Sequence, residues 1–317
     1  MKSRHFLWVL AALALVTAPL VPGNLLLVLL TFGAIAAIAA LGLNITFGLC
    51  GQLTMFHAAA FGLGGYATVL SMRHLELGFL AAMSLATLIV MALSTLIGVV
   101  CFRFKLKDFY FAVTTMAASE MLRLVMLNWH SLTNGSLGIT IAEQPALSVP
   151  GMGSWSLQSP AAWYFACLAT LGLAVVVYRL VANSWLGQSF ASIRINDDLA
   201  EALGINSLRY KTLGFVVGAA FASVAGALYV FFLGFADPSI LSVEQMLSFI
   251  AMVLLGGRTK TIGPLLGAFL LTGLPHVIHM GAELRAMTYG GILIVVILLL
   301  PNGLTRLMPR PQGDSRA

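Results

Sequence analysis

Charge is what this sequence of 317 residues has least of. Asp, Glu, Lys and Arg make up 9% of it, against 60% hydrophobic residues. With a mean hydropathy of +0.97, that balance excludes a soluble globular domain. Cysteine is scarce as well. Cys50, Cys101 and Cys167 fall in or beside apolar runs with no metal-ligand spacing, which excludes a disulfide framework and leaves three small core residues. No GxxxxGK[ST], HExxH or GxSxG motif occurs, so the phosphate-cradling and hydrolytic chemistries those motifs serve find no support. The formal charge is +6. In so oily a chain, basic residues collected on one side of a membrane account for it, and nucleic acid is not an expected partner.

What is there is a series of apolar runs, most of them close to the roughly 20 residues that a helix needs to cross a bilayer. They fall at 6–22, 25–43, 53–72, 78–102, 109–127, 161–180, 212–235, 243–255, 262–280 and 287–300. This predicts an all-α polytopic membrane protein of about ten transmembrane helices in a single membrane domain, 1–317. The first run has the basic start of a secretory signal peptide, but Pro19 gives a poor cleavage context and another run follows at once, so it is read as a span. Under an N-inside, ten-span arrangement, fourteen of the 17 Lys and Arg residues fall on the cytoplasmic side and only Arg73, Arg123 and Arg285 fall outside, which places both termini in the cytoplasm. The stretch 128–160 then becomes an external loop, long enough to hold a short helix or turn of its own. Glycines cluster at Gly48, Gly51, Gly62, Gly64 and Gly65, and again at Gly256, Gly257, Gly263 and Gly267. Such clusters let membrane helices approach closely, or let spans break along a polar path.

One internal segment breaks the oil. Over residues 188–211, Ala191, Ile195, Leu199, Ala202 and Leu203 recur at helical intervals, with Arg194, Asp197, Asp198 and Glu201 mainly between them and Gly204 where a helix C-cap glycine belongs. The pattern predicts one short amphipathic helix at a membrane face, between two spans. It serves either as a lever gripped by another protein or as a surface loop resting on lipid headgroups.

Four colinear segments, from about Leu41 to Leu270, resemble the membrane-spanning subunits of bacterial branched-chain amino acid ATP-binding-cassette importers, of the LivH/LivM family and most closely the LivM type. They are LGLNITFGLCGQLTMFHAAAFGLGGYAT, DFYFAVTTMAASEMLRLV, AEALGINSLRYKTLGFVVGAAFASVAGALY and MVLLGGRTKTIGPLLGAFLL. Phe56 stands where the family usually has glycine before the histidine, and Thr259 and Lys260 replace a Gly-Thr pair, which leaves the solute open; permeases for urea and short amides share much of the pattern. The resemblance implies a non-enzymatic permease subunit of a bacterial inner (cytoplasmic) membrane. It also implies a second permease subunit, two ATPase subunits that carry the ATP and Mg, and an external solute-binding protein as partners. It makes 184–211 a cytoplasmic coupling loop, with Arg194, Asp197, Asp198, Leu199, Glu201, Ala202, Leu203 and Gly204 as its ATPase-coupling residues. An ion-coupled secondary transporter, with Glu120 or His57 carrying the proton, is the competing class.

A zwitterion needs a polar route through hydrocarbon, because burying unpaired charge costs at least several kcal/mol. The few polar groups within the runs are therefore the candidates. Gln52 and His57 begin the run after the GLCGQ break, where irregular backbone could line a path; a histidine there could equally hold a neighbouring helix. Thr114 and Thr115 could offer hydroxyls, although threonine in a membrane helix usually bonds its own backbone. Glu120 lies three residues before Arg123, so the two can pair as a structural unit. His276 and His279 share a helix face with only Glu283 as a third ligand, which favours an interfacial cluster over a metal site. Glu244 and Gln245 open a span as its cap region.

Overall fold

The computed structural model describes residues 24–106, 108–141, 145–149, 153–258, 261–277 and 291. The runs predicted at 6–22 and 287–300 lie outside them except for Gly291, as do His279 and Glu283 and the side chain of His276.

Apolar composition fixes the helices, and small polar residues fix where they stop. Eight longer helices make up most of the described chain: α1 (Asn24–Leu43), α2 (His57–Leu75), α3 (Phe79–Arg103), α4 (Asp108–Asn128), then α6 (Pro160–Asn183), α9 (Ser207–Leu233), α10 (Val243–Gly256) and α11 (Ile262–Val277). Five stretches are long and apolar enough to cross a membrane: α1 with the turn that follows it, α3, α4, α6 and α9. A short α5 (His130–Thr133) follows α4, and α7 (Trp185–Ile195) and α8 (Asp197–Ala202) lie between α6 and α9. Ser159 caps α6 by accepting from the Ala162 N–H, with Pro160 in its first turn, and Ser242 caps α10 by accepting from the Gln245 N–H.

The chain is overwhelmingly helical, as expected of an all-α membrane protein, with two short strand pairs beside the helices. β1 (Ile139–Thr140) pairs antiparallel with β4 (Phe235–Ala236), and β2 (Ala146–Val149) pairs with β3 (Gly153–Ser156). Three of these strands lie in the stretch predicted as a loop with at most a short helix or turn. Too short to show an alternating pattern, they pair backbone groups that would otherwise lack partners.

At the centre stands α9, which packs against α1, α2 and α3. In the apolar windows of α1 and α9, 67% of residues are buried, against 22% in α4 and 17% in α6. The first two therefore form the core, and the latter two lie at the periphery. Contact between α2 and α9 is backbone-close, since a Cβ at Gly226 would lie 1.8 Å from the Phe61 carbonyl oxygen. The glycines of α2 thus serve close approach rather than an opening. A seam of rings fills the surrounding space: Phe61 meets Phe249 and Tyr229, and Phe79 meets Phe231 and Trp163.

Candidate functional site

The apolar run of α1 does not end cleanly. Its last turn widens into a π-helical segment, Asn44–Leu49, and residues 50–56 return as coil before α2 begins at His57. The helix predicted from residue 53 therefore starts four residues later. Gly51 takes φ +78°, a left-handed conformation that glycine adopts without steric cost. Irregular backbone inside a bundle needs internal partners, and it has them. The Cys50 N–H donates to the Ile45 carbonyl, the Gln52 N–H to the Thr46 carbonyl, and the Met55 N–H to Oγ1 of Thr115 on α4 at 3.0 Å.

The polar candidates separate into two sets. His57 is buried, with Nε2 2.8 Å from the Ala39 carbonyl oxygen and its ring edge-on to Phe249. Gln52 is buried too, and its Oε1 lacks a hydrogen-bond partner among the described residues. Thr115 turns inward, donating to the Phe111 carbonyl while accepting from Met55. Thr114 is exposed on the outward face of α4, beside Val113 and Met116. Glu120 lies on α4 as well, part-exposed, and both its oxygens accept from Arg123, at 3.0 and 2.9 Å from Nε. The structural pair read from their spacing is present.

The segment 184–211 differs from the single amphipathic helix predicted for it. It is two helices, because Asn196 takes extended backbone angles and its side chain accepts from the Leu199 N–H, ending α7 and capping α8. Gly204, at φ +89°, follows the end of α8 in the left-handed conformation expected of it. Asn206 then caps α9 by accepting from the Arg209 N–H. The spanning helix thus starts at Ser207, not Thr212, and takes Arg209 and Lys211 into its first turns.

The predicted faces shift accordingly. Ile195, Leu199 and Leu203 are 81%, 56% and 74% exposed, Ala202 is exposed beside them, and Ala191 is half-buried. Phe190, Ile193 and Ala200 form the inward face instead. Asp198 and Glu201 lie outside, with Glu201 Oε2 3.6 Å from Lys105 Nζ. Arg194, although exposed, and the half-buried Asp197 are each tied to another element. Arg194 Nη1 donates to the Gly48 carbonyl at 2.6 Å. Asp197 accepts from the buried Lys211 and from Ser207, both at 2.5 Å. Sequence reasoning missed Ser207 and Lys211; an ammonium so near an apolar run, fourteen residues after an aspartate, was the available signal.

Basic residues gather at this end: Arg103, Lys105, Arg179, Arg194, Arg209, Lys211 and Arg258 lie on α7, at adjoining helix ends or in the turn after α10. Among the described residues, no group of three or more His, Cys, Asp or Glu side chains could hold a metal ion.

A family model for the branched-chain amino acid transport system permease component matches residues 25–300. The chain is similar to the high-affinity branched-chain amino acid transport system permease protein LivM of Escherichia coli K12, at 27% identity over 98% of this chain and 76% of that one. It is 27% identical to LivH of the same organism, over 90% of this chain and 94% of the relative. It is 28% identical to BraD of Pseudomonas aeruginosa, over 90% and 95%. No solved structure matches the chain. With five helices long and apolar enough to cross a membrane among its described residues, and a family match that covers most of its length, the chain is a multi-pass membrane protein and belongs to the branched-chain amino acid transport permease family.

Proposed function

We propose that the chain is one permease subunit of an ATP-driven importer of branched-chain amino acids in the bacterial inner membrane. It works beside a second, LivH-like permease, two ATPase subunits that bind ATP and Mg, and an external solute-binding protein. The names of its relatives favour this solute over urea, short amides or an ion-coupled cycle. The observation that carries the reading is the apolar edge formed by Ile195, Leu199 and Leu203 at the basic end of the bundle. Three large apolar side chains on short helices outside the spans fit a groove on another protein, with Asp198 and Glu201 at the rim for partner choice. That end faces the cytoplasm, consistent with its basic residues. On the outward face of α4, Thr114 and Glu120 line the route against the second permease, and Gln52 and His57 hold the re-entrant segment behind it.

The test places Leu199→Glu in the reconstituted importer. ATPase association and leucine uptake are expected to fall at least tenfold while the melting temperature of the isolated chain is unchanged. Wild-type assembly and uptake in this variant would reject the docking role.

A further inference from the structure

Four elements hold the π-helical segment at the docking end; one is the core helix α9, whose Gly214 carbonyl accepts from Thr46 Oγ1 at 3.1 Å. Arg194 of α7 donates to the Gly48 carbonyl at 2.6 Å, and its stem lies so close to Gly51 that a Cβ there would be 2.7 Å from the arginine Cγ. Tyr178 of α6 accepts from Asn44 Nδ2 at 2.7 Å. From the turn after α10, the Arg258 guanidinium covers the Phe47 ring at 4.7 Å, and the Arg258 carbonyl would be 2.9 Å from a Cβ on Gly48. Of these, only the arginine of α7 joins the segment to the docking helices. From Gly48 and Gly51 the chain continues without a helical turn through residues 50–56 to Met55, whose N–H is held by Thr115 of α4. The neighbouring residue Thr114 is exposed on the outward face.

We propose that Arg194 is the positioning residue that transmits displacement of the docking helices to α4, through its hydrogen bond to Gly48 and the re-entrant segment 50–56. The inference rests on the importer reading given above and adds a route to it. π-helical turns are rare interruptions of α-helices and recur at functional sites. A charge-assisted bond at its end gives a moving element something to pull on. Asp197 and Lys211 form the second attachment of the docking helices, to α9, which is wedged in the core and is the fixed point about which α7 moves. Spatial continuity alone does not establish coupling, so the claim is one about energetics, to be measured.

The measurement uses the whole importer in vesicles, with leucine as solute. It reads ATPase association, ATP hydrolysis and uptake for the wild type, Arg194→Gln, Arg194→Lys and Thr115→Val. In Arg194→Gln, association is expected to persist while leucine carried per ATP falls about tenfold. Arg194→Lys is expected to recover part of that ratio. Thr115→Val, which removes the acceptor for Met55 and leaves the docking helices untouched, is expected to lower the ratio in the same way. Amide hydrogen exchange over residues 50–56 is expected to quicken in both Arg194→Gln and Thr115→Val. A wild-type ratio in Arg194→Gln overturns the proposal and leaves the importer reading intact, and so does loss of ATPase association in that variant. Wild-type uptake that proceeds without ATP overturns the importer reading, and the proposal with it.

Discussion

Lys211 Nζ lies 2.5 Å from Oδ2 of Asp197, and both groups are largely withdrawn from solvent, the lysine side chain being 7% exposed and the aspartate 20%. Ser207 donates to the other carboxylate oxygen, and the Phe102 ring lies 5.8 Å from the ammonium. The first turn of α8 is thereby fastened to the first turns of α9.

Removing one partner of such a pair strands a charge, which typically costs about 3–5 kcal/mol. Asp197→Ala and Lys211→Ala are each expected to lower the unfolding temperature in detergent markedly. The double substitution Asp197→Leu with Lys211→Met is expected to recover most of the loss, since neither charge then remains. Equal damage in the double variant would show that the pair is not an energetic unit.

Gly226 and Gly172 make a matched comparison. A Cβ on Gly226 collides with the Phe61 carbonyl, whereas a Cβ on Gly172 has no neighbour within 4 Å. Gly226→Ala is expected to force α2 from α9 and destabilise the chain by roughly 1–3 kcal/mol, the usual range for overpacking. Gly172→Ala, within α6, is expected to be neutral or to stabilise by up to about 1 kcal/mol. The difference in melting temperature between the two variants reads this directly.

The outward face of α4 can be probed with thiols. Cys50, Cys101 and Cys167 are all buried, so the native chain is expected to react slowly with a water-soluble maleimide. In the assembled importer, Thr114→Cys is expected to be labelled and Thr115→Cys to stay protected. Equal protection at both positions would place α4 against lipid or packed protein instead of a watery route.

Glu120 and Arg123 are only partly covered, so their ion pair contributes little to folding. Glu120→Gln is expected to shift the stability of the isolated chain by less than about 1 kcal/mol and to reduce uptake severalfold. A large loss of stability with normal uptake would make the pair purely structural.

The spans were legible because long apolar runs admit few alternatives; the run at 78–102, for example, is α3 almost to the residue. The segment 184–211 was legible only in part. Its helical spacing is present, but Asn196 followed by Asp197 and Asp198 is the signature of an N-cap with an acidic first turn, and that cue divides what periodicity alone had joined. The same holds for Asn206 before α9. The partners of Arg194 and Asp197 could not be read from spacing, since Gly48 lies 146 positions from Arg194 and only tertiary packing brings them together. The first strand pair escaped for a related reason: Ile139 of β1 finds Ala236 of β4 far along the chain, and only tertiary packing brings them together.

α9 has 27 residues, about 40 Å of helix at 1.5 Å per residue. Asp197 grips it at one extremity, and at the other the chain passes straight into β4, where Ala236 accepts a hydrogen bond from Tyr66. A stiff strut anchored at both tips cannot carry news in one direction only. In the importer proposed above, whatever nucleotide occupancy does to solute affinity at the far mouth, solute arrival there must do in equal measure to nucleotide affinity.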